Sequence, residues 1–293
     1  MKIRSFYEPD SGTWTHLLAD PAEKAAAIID PVWVFDPVSG STDRSFIDRV
    51  LAHADQEGYR VEWALETHAH ADHLTAAELV RQQTGARLAC GRGICAVQKN
   101  FARVFNMKQT PVDGSQFDRL LVEGDVIQLG RIEIKILETP GHTSDSITYL
   151  AGDAAFIGDT LFAPAYGTAR CDFPGGDAGQ LYDSIRKLYR LPGQTRLFLC
   201  HDYPAEGQPP AKEVSVAESR ERNIHLQEDT TRTGFVSMRN ERDSQLGLPR
   251  LILPSLQVNI LAGAAPEPDS NGVTYLRTPF NRTIAELIKE EEP

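Results

Sequence analysis

The sequence predicts an α/β fold with a mixed sheet and helices on the outside. Apolar runs of strand length alternate with helical patterns from the N-terminus to about residue 200, and polar residues repeatedly follow the ends of those runs. With 293 residues, 41% hydrophobic and 24% charged, the composition is that of an ordinary globular protein whose core can hold polar groups rigidly.

Three strands are predicted in the N-terminal part of the chain. The runs WTHLLAD (14–20) and AAAIIDP (25–31) are apolar and are separated by the turn signal Asp20-Pro21. The run VEWALET (61–67) is the third.

Two helices are predicted around the third strand. The first has apolar residues on one face, begins after a cap at Thr42 or Asp43, and ends at Gly58. The second follows His73 and ends at Gly85.

The middle of the chain continues the alternation. Residues 131–139 alternate isoleucine with charged residues, which is the period of a half-buried strand. Short strands are predicted at 146–150 and 154–158, a helix over 180–191, and a last apolar strand at 196–200.

The character of the chain changes beyond about residue 204. We divide it into a catalytic core of residues 1–205 and a C-terminal extension of residues 206–293 that packs on the core and completes one wall of the active site. Residues 214–227 predict a polar helix, and residues 250–263 are apolar but broken by Pro254.

Charge and composition bear on the class of partner. The net charge is −11 and no Lys/Arg cluster is present, so we predict that the protein does not bind nucleic acid. The segment from Met1 to Asp20 contains no apolar run that could be a signal peptide or a membrane span, so no membrane association is expected. Four scattered cysteines do not form a disulfide framework, which predicts reduced thiols and a cytoplasmic protein. These cysteines are Cys90, Cys95, Cys171 and Cys200.

Four potential metal ligands lie close together in the sequence, at His68, His70, Asp72 and His73. A regular strand would direct the first three to one face and a helix would scatter them, whereas a turn after the strand at 61–67 could gather all four. Buried without a metal or another partner, these groups would be costly. The cluster therefore predicts a metal site.

Three further candidates each follow an apolar run. His142 follows the strand at 131–139, Asp159 follows the strand at 154–158, and His201 follows the strand at 196–200. Because open sheets place their sites at strand ends, we expect these residues to join the cluster.

The seven residues, in this order, resemble the ligand set of the metallo-β-lactamase superfamily. The resemblance extends from the N-terminus to about residue 205 and implies an αββα sandwich with the metal site at one edge. The local motifs are most similar to those of the persulfide dioxygenases, except that Thr168-Ala169 stands where those enzymes often carry Gly-Arg. The matching motifs are ETHAHADHLTAA, TPGHTSDS, GDTLF, RCDF and HDY.

The persulfide dioxygenase resemblance implies one Fe(II) per chain, held by His68, His142 and Asp159. Two histidines and one carboxylate leave coordination positions open, as in non-haem Fe(II) enzymes that bind O₂. The remaining four residues would orient these ligands and poise bound water. They are His70, Asp72, His73 and His201.

The implied substrates are glutathione persulfide and O₂, and the implied products are sulfite and glutathione. Arg170 is the candidate partner of a substrate carboxylate, although an ion pair with Asp172 is an equally good interpretation of it. Tyr203 is the candidate hydrogen-bonding group near the iron or the substrate thiol. His16, His53 and His225 receive no role.

Two alternatives remain open at this stage. All seven residues of a dinuclear set are present, so a dinuclear zinc thioester hydrolase resembling glyoxalase II is the first alternative. A non-enzymatic metal or sulfide sensor is the second, although no output module is evident. An exposed edge or the C-terminal extension could mediate a homodimer.

Overall fold

The computed structural model describes residues 1–204 and 207–289, which form fifteen strands and eight α-helices. The strands are β1 (Lys2–Glu8), β2 (Thr13–Asp20), β3 (Ala25–Ile29), β4 (Val32–Asp36), β5 (Ser41–Asp43), β6 (Arg60–Leu65), β7 (Leu74–Thr75), β8 (Arg87–Gly91), β9 (Arg119–Leu121), β10 (Val126–Leu129), β11 (Ile132–Glu138), β12 (Ile147–Ala151), β13 (Ala154–Phe156), β14 (Arg196–Phe198) and β15 (Glu213–Ser215). The helices are α1 (Ser45–Gln56), α2 (Ala77–Thr84), α3 (Ile94–Val104), α4 (Ala178–Leu188), α5 (Val216–Arg222), α6 (Arg232–Asp243), α7 (Ile252–Asn259) and α8 (Ile284–Lys289).

Two six-stranded mixed sheets form the centre of the molecule. The first has the order β1-β2-β3-β6-β8-β9, antiparallel up to β3 and parallel beyond it. The second has the order β10-β11-β12-β13-β14-β15, in which only β13 and β14 are parallel. A small sheet, β5-β4-β7, lies beside the loop that carries the histidine cluster.

Three apolar clusters define four layers. The middle cluster lies between the two sheets and contains Leu18, Ile29 and Leu65 of the first sheet with Ile134 and Phe156 of the second. The outer clusters join the first sheet to α1, α2, α3 and α7, and the second sheet to α4 and α6. The predicted αββα sandwich is confirmed.

The buried faces explain why the strand predictions succeeded. Ile134 and Ile136 of β11 are buried while Glu133 and Lys135 are exposed, so the period of two follows one buried face. All five residues of β3 are buried, as expected for a central strand covered on both sides.

Two predictions for the C-terminal part are wrong in detail. The helix predicted over 214–227 is shorter, because residues 213–215 pair as β15 and α5 ends at Arg222. Pro254 does not break the last apolar run, because it lies in the first turn of α7, where a backbone N–H has no intrahelical partner.

At α1 the cap position is Arg44, although Asp43 accepts the Ser45 N–H at 2.8 Å.

The C-terminal segment contacts both helix layers. Helix α6 lies on α4, and α7 lies on β7 and α3. The predicted boundary between residues 205 and 206 lies outside the described residues, so the division into core and extension stays a prediction. Within residues 1–204 and 207–289, no helix is long and apolar enough to cross a membrane.

Candidate metal centre and active-site cavity

The loop between β6 and β7 carries the histidine cluster and is held by buried hydrogen bonds. Asp30, directly after β3, accepts the Thr67 N–H at 2.8 Å and lies 3.0 Å from Nε2 of His70. Asn259 of α7 donates to the carbonyls of His70 and His73 at 2.7 and 2.8 Å. The loop conformation is therefore fixed from two sides.

Three other loops bring the remaining ligands to the same sheet edge. His142 follows β11, and Asp159 lies in a single 3-10 turn after β13. Gly158 has a φ of 53°, and a Cβ there would meet the side chains of Thr67 and His68. His201 follows β14 and forms a bridge with Thr13 at the start of β2. All seven residues predicted as ligands or their partners converge.

His68, His142 and Asp159 form a compact group of ligand atoms. Nε2 of His68 and Nε2 of His142 lie 4.0 and 3.7 Å from Oδ2 of Asp159. The other ring nitrogens are engaged, His68 with the Thr67 hydroxyl at 3.0 Å and His142 with the Arg170 carbonyl at 2.7 Å. Such contacts orient metal-binding imidazoles, and they leave both Nε2 atoms free for a metal.

A second group surrounds His201. Its Nε2 lies 3.3 Å from Oδ2 of Asp72 and 3.4 Å from Oδ1 of Asp159. The Thr13 hydroxyl lies 3.3 and 3.4 Å from the Nδ1 atoms of His201 and His73. His70, Asp72, His73 and His201 could together hold a metal ion as well.

Unpaired buried atoms test whether the site fits a metal. Five buried atoms have no hydrogen-bond partner among the residues that the structure describes: Oδ1 of Asp159, Oδ2 of Asp72, Nδ1 of His70, and Nε2 of His73 and His201. So many unsatisfied groups in one place are costly unless a cation binds them. Imidazole and carboxylate donors suit zinc or iron, so the residues fit the expected metal.

The protonation of the imidazoles follows their surroundings. Burial and the neighbouring His70 and His142 rings lower the pKa of His68 well below its usual value, which favours the neutral form that binds metals. Burial also lowers the pKa of His73. Although burial opposes it, the carboxylates of Asp30 and Glu66 raise the pKa of His70.

A cavity of about 590 Å³ opens beside His142 and Asp159. Tyr203 stands at this cavity with its ring stacked on His201, at a centroid distance of 5.9 Å and an interplanar angle of 2°. Arg170 also lines it, but its guanidinium forks onto Asp172 at 2.6 and 2.7 Å and donates to the Gly247 carbonyl at 2.6 Å. The ion pair considered as the alternative is thus present, and substrate roles for Arg170 and Tyr203 stay predictions.

The cysteines are free thiols, and burial raises the pKa of Cys90, Cys171 and Cys200. These thiols are therefore protonated near neutral pH and poorly nucleophilic. Cys95 is half-buried.

Several cavity residues were missed by the sequence analysis. His225, Arg239, Arg242 and Arg250 all come from the C-terminal segment and line the cavity. No motif or spacing distinguishes them, because they reach the cavity only through long-range packing. Asp30 was also missed, although it follows a strand as the recognised ligands do.

The comparison with family models decides the relationship. Residues 22–201 match the model of the metallo-beta-lactamase superfamily. The chain belongs to the metallo-β-lactamase superfamily.

Members of this superfamily with similar sequences carry names from different enzyme classes. A Burkholderia pseudomallei protein described as a probable metallo-hydrolase is 46% identical over 96% of this chain and 99% of its own length. A beta-lactamase hydrolase-like protein of Xylella fastidiosa is 44% identical over 96% of this chain, which spans only 65% of that protein. Human persulfide dioxygenase ETHE1 is 32% identical over 69% of this chain and 68% of its own length. A Rhodospirillum rubrum hydroxyacylglutathione hydrolase is 33% identical over 66% of this chain and 63% of its own length.

Among solved structures, ETHE1 from Myxococcus xanthus is similar over its whole length. The TM-score is 0.73 with 30% identity, covering 90% of this chain and 100% of that one. The suspected relationship to the persulfide dioxygenases within the superfamily is confirmed, while the metal and the reaction need a separate argument.

Proposed function

We propose that this protein is a persulfide dioxygenase that uses one Fe(II) per chain and oxidises glutathione persulfide. The observation that carries the proposal is the compact His68, His142 and Asp159 group in a chain that resembles ETHE1 over the whole length of that structure. Two imidazoles and one carboxylate occupy one side of a metal and leave the other side open. Bound there, Fe(II) supplies the redox chemistry that O₂ requires.

The overall reaction consumes one persulfide, one O₂ and one water. Two oxygen atoms from O₂ and one from water end on the terminal sulfur, the sulfur–sulfur bond breaks, and glutathione, sulfite and two protons are released. The terminal sulfur is oxidised and O₂ is reduced, so no further oxidant is required.

The cavity supports an anionic thiol substrate. Arg242 and Arg250 line it, and within the described residues neither guanidinium has a hydrogen bond or an ion pair, although the charge of Arg250 also acts on the Asp36 carboxylate. By contrast, Arg170 and Arg239 at the same cavity are paired with Asp172 and Asp243. Arginine binds carboxylates through two parallel hydrogen bonds, so the two unpaired arginines can hold the carboxylates of the glutathione moiety.

The pKa values of residues beside the metal site indicate which of them could bind water and which could supply protons. Although burial opposes it, the His201 and His73 rings hold the pKa of Asp72 well below its usual range, so this carboxylate is ionised near neutral pH. Its Oδ2 lies 3.3 Å from Nε2 of His201 and can hold the water that is consumed. His225 cannot supply protons near neutral pH, because burial and the cations of Arg239 and Arg242 lower its pKa to about 4.

The deciding experiment combines metal analysis with two assays on protein purified without O₂. We expect about one iron per chain and O₂ uptake that depends on glutathione persulfide, with one sulfite formed per O₂. His142→Ala should lose both the iron and the uptake. His53→Ala, which alters a histidine on α1 outside the site, should retain both.

A hydrolase would give a different result. The second ligand group around His201 could hold a further ion, and two zinc ions could generate a hydroxide that attacks a glutathione thioester. Two zinc ions per chain, hydrolysis of S-lactoylglutathione and no O₂ uptake after iron loading would refute the dioxygenase proposal.

A further inference from the structure

A buried ion pair on α6 forms part of the active-site wall, where Arg239 lines the cavity. Arg239 and Asp243 are only 3% and 4% exposed, and the Arg239 Nε and Nη2 atoms donate to Oδ1 of Asp243 at 3.0 and 2.7 Å. Arg239 also donates to the Thr168 carbonyl at 3.2 Å. A buried ion pair often contributes little net stability, because desolvation offsets the attraction. Its contacts therefore suggest another role.

The second oxygen of Asp243 points to one peptide group. Oδ2 accepts the backbone N–H of Cys171 at 2.8 Å. The carbonyl of the same peptide group belongs to Arg170, and it accepts the Nδ1–H of His142 at 2.7 Å. Asp243, the 170–171 peptide and His142 thus form one continuous chain of hydrogen bonds.

The direction of this chain has a chemical consequence. A carboxylate that accepts from the N–H end of a peptide group polarises it and makes its carbonyl oxygen a stronger acceptor. A stronger acceptor at Nδ1–H fixes the tautomer and ring orientation of His142, so that Nε2 stays unprotonated and directed at the metal position. Histidine ligands often donate directly to a carboxylate; here one peptide group stands between the two.

We propose that Asp243 is a positioning residue for the metal centre, acting on His142 through the 170–171 peptide. Arg239 holds the Asp243 carboxylate in place and compensates its buried charge. The proposal rests on the metal site at His68, His142 and Asp159, but not on the identity of the metal or on the dioxygenase reaction.

Two variants separate the charge of Asp243 from its shape. Asp243→Asn keeps the size of the side chain but leaves Arg239 buried without a counter-charge. The double variant Arg239→Gln/Asp243→Asn removes both charges and keeps polar side chains, so it protects the fold if the single variant is unstable. Asp20→Asn is the matched control, because Asp20 is a buried carboxylate that accepts the Arg131 N–H at 2.7 Å from the opposite end of β2.

The measurements are the dissociation constants for Fe(II) and Zn²⁺ by chelator competition, and the visible spectrum of the Co²⁺-loaded protein. Loss of such an outer contact typically weakens metal binding by about 10-fold to 100-fold. We expect a loss of about tenfold for both metals in both variants, with altered cobalt bands, recovery in Asp243→Glu, and no change in Asp20→Asn. The unfolding temperature of the metal-free proteins monitors the fold.

Metal affinities within twofold of wild type and unchanged cobalt bands in the folded double variant would overturn the proposal. A change in affinity without any O₂ uptake in the wild-type protein would leave it standing and would refute only the proposed dioxygenase activity.

Discussion

At the scale of single residues, the proposed substrate preference depends on Arg242 and Arg250, whose guanidinium groups have no hydrogen bond or ion pair within the part of the chain that the structure describes. Replacing Arg242 or Arg250 by alanine removes a charge-assisted hydrogen bond worth about 1.5–3 kcal/mol. The KM for glutathione persulfide should therefore rise about tenfold or more, while the KM for an uncharged alkyl persulfide should not change. Arg222→Ala, on the exposed surface of α5, is the control. Equal effects on the charged and uncharged substrates would contradict a carboxylate-binding role.

His16 makes the stability of the fold depend on pH. It is fully buried between the sheets, where its Nε2–H donates to the Leu199 carbonyl at 3.0 Å and its Nδ1 lies 2.9 Å from the Ser5 hydroxyl. Burial lowers its pKa to about 4. The unfolded chain, with an ordinary value near 6.5, therefore binds the proton first, and stability falls as the pH drops from about 6.5 towards 4. Between pH 7.5 and 5 this amounts to roughly 2 kcal/mol.

His16→Gln should remove that contribution. The measurement is the free energy of unfolding in urea at both pH values, in the presence of a chelator so that metal loss does not contribute. Identical pH dependence in variant and wild type would show that His16 is not kept neutral by the fold.

At the scale of elements, α7 stabilises the loop between β6 and β7 that carries the histidine cluster. Asn259 at its end accepts the Thr75 N–H at 2.8 Å and donates to the carbonyls of His70 and His73. Asn259→Ala leaves three buried backbone groups unpaired and should cost roughly 3 kcal/mol at about 1 kcal/mol each. Chemical unfolding of the metal-free protein measures this, with the exposed Asn271→Ala as control. A loss smaller than that of a single ordinary hydrogen bond would show that the loop does not depend on α7.

Helix α7 also differs from β3 and β11 in how far its structure can be predicted from the local sequence. The alternation in β11 and the uniformly apolar β3 follow directly from burial on one or two sides of a sheet, so local pattern suffices. In α7, Pro254 is compatible with a helix only because the helix begins at Ile252, which places the proline in the first turn. Where the helix begins depends on packing against β7 and α3, and the local sequence pattern does not show it. Strand ends, and with them the seven candidate metal-site residues, were therefore predictable, whereas Asn259 and Asp243 were not.

At the scale of the whole molecule, the metal centre joins the two sheets. His68 follows β6 of the first sheet, while His142 and Asp159 follow β11 and β13 of the second. The group formed by His68, His142 and Asp159 exists only when both sheets are packed, so metal should bind the folded state more tightly than the unfolded chain. Sequence motifs identify these ligands, but the cavity wall from the C-terminal segment depends on contacts between distant parts of the chain, such as Arg239 with Thr168.

Metal should therefore stabilise the whole fold by mass action. At a free metal concentration of about 100 times Kd, the free energy of unfolding should rise by about 2.7 kcal/mol over the chelated protein. His142→Ala should unfold like the chelated wild type and show no increase on adding metal, because its ligand group is incomplete. Calorimetry across a series of metal concentrations measures both. An equal increase in His142→Ala would mean that the stabilising ion binds elsewhere, most directly at the group around His201, and that the metal centre of this protein is not the one formed by His68, His142 and Asp159.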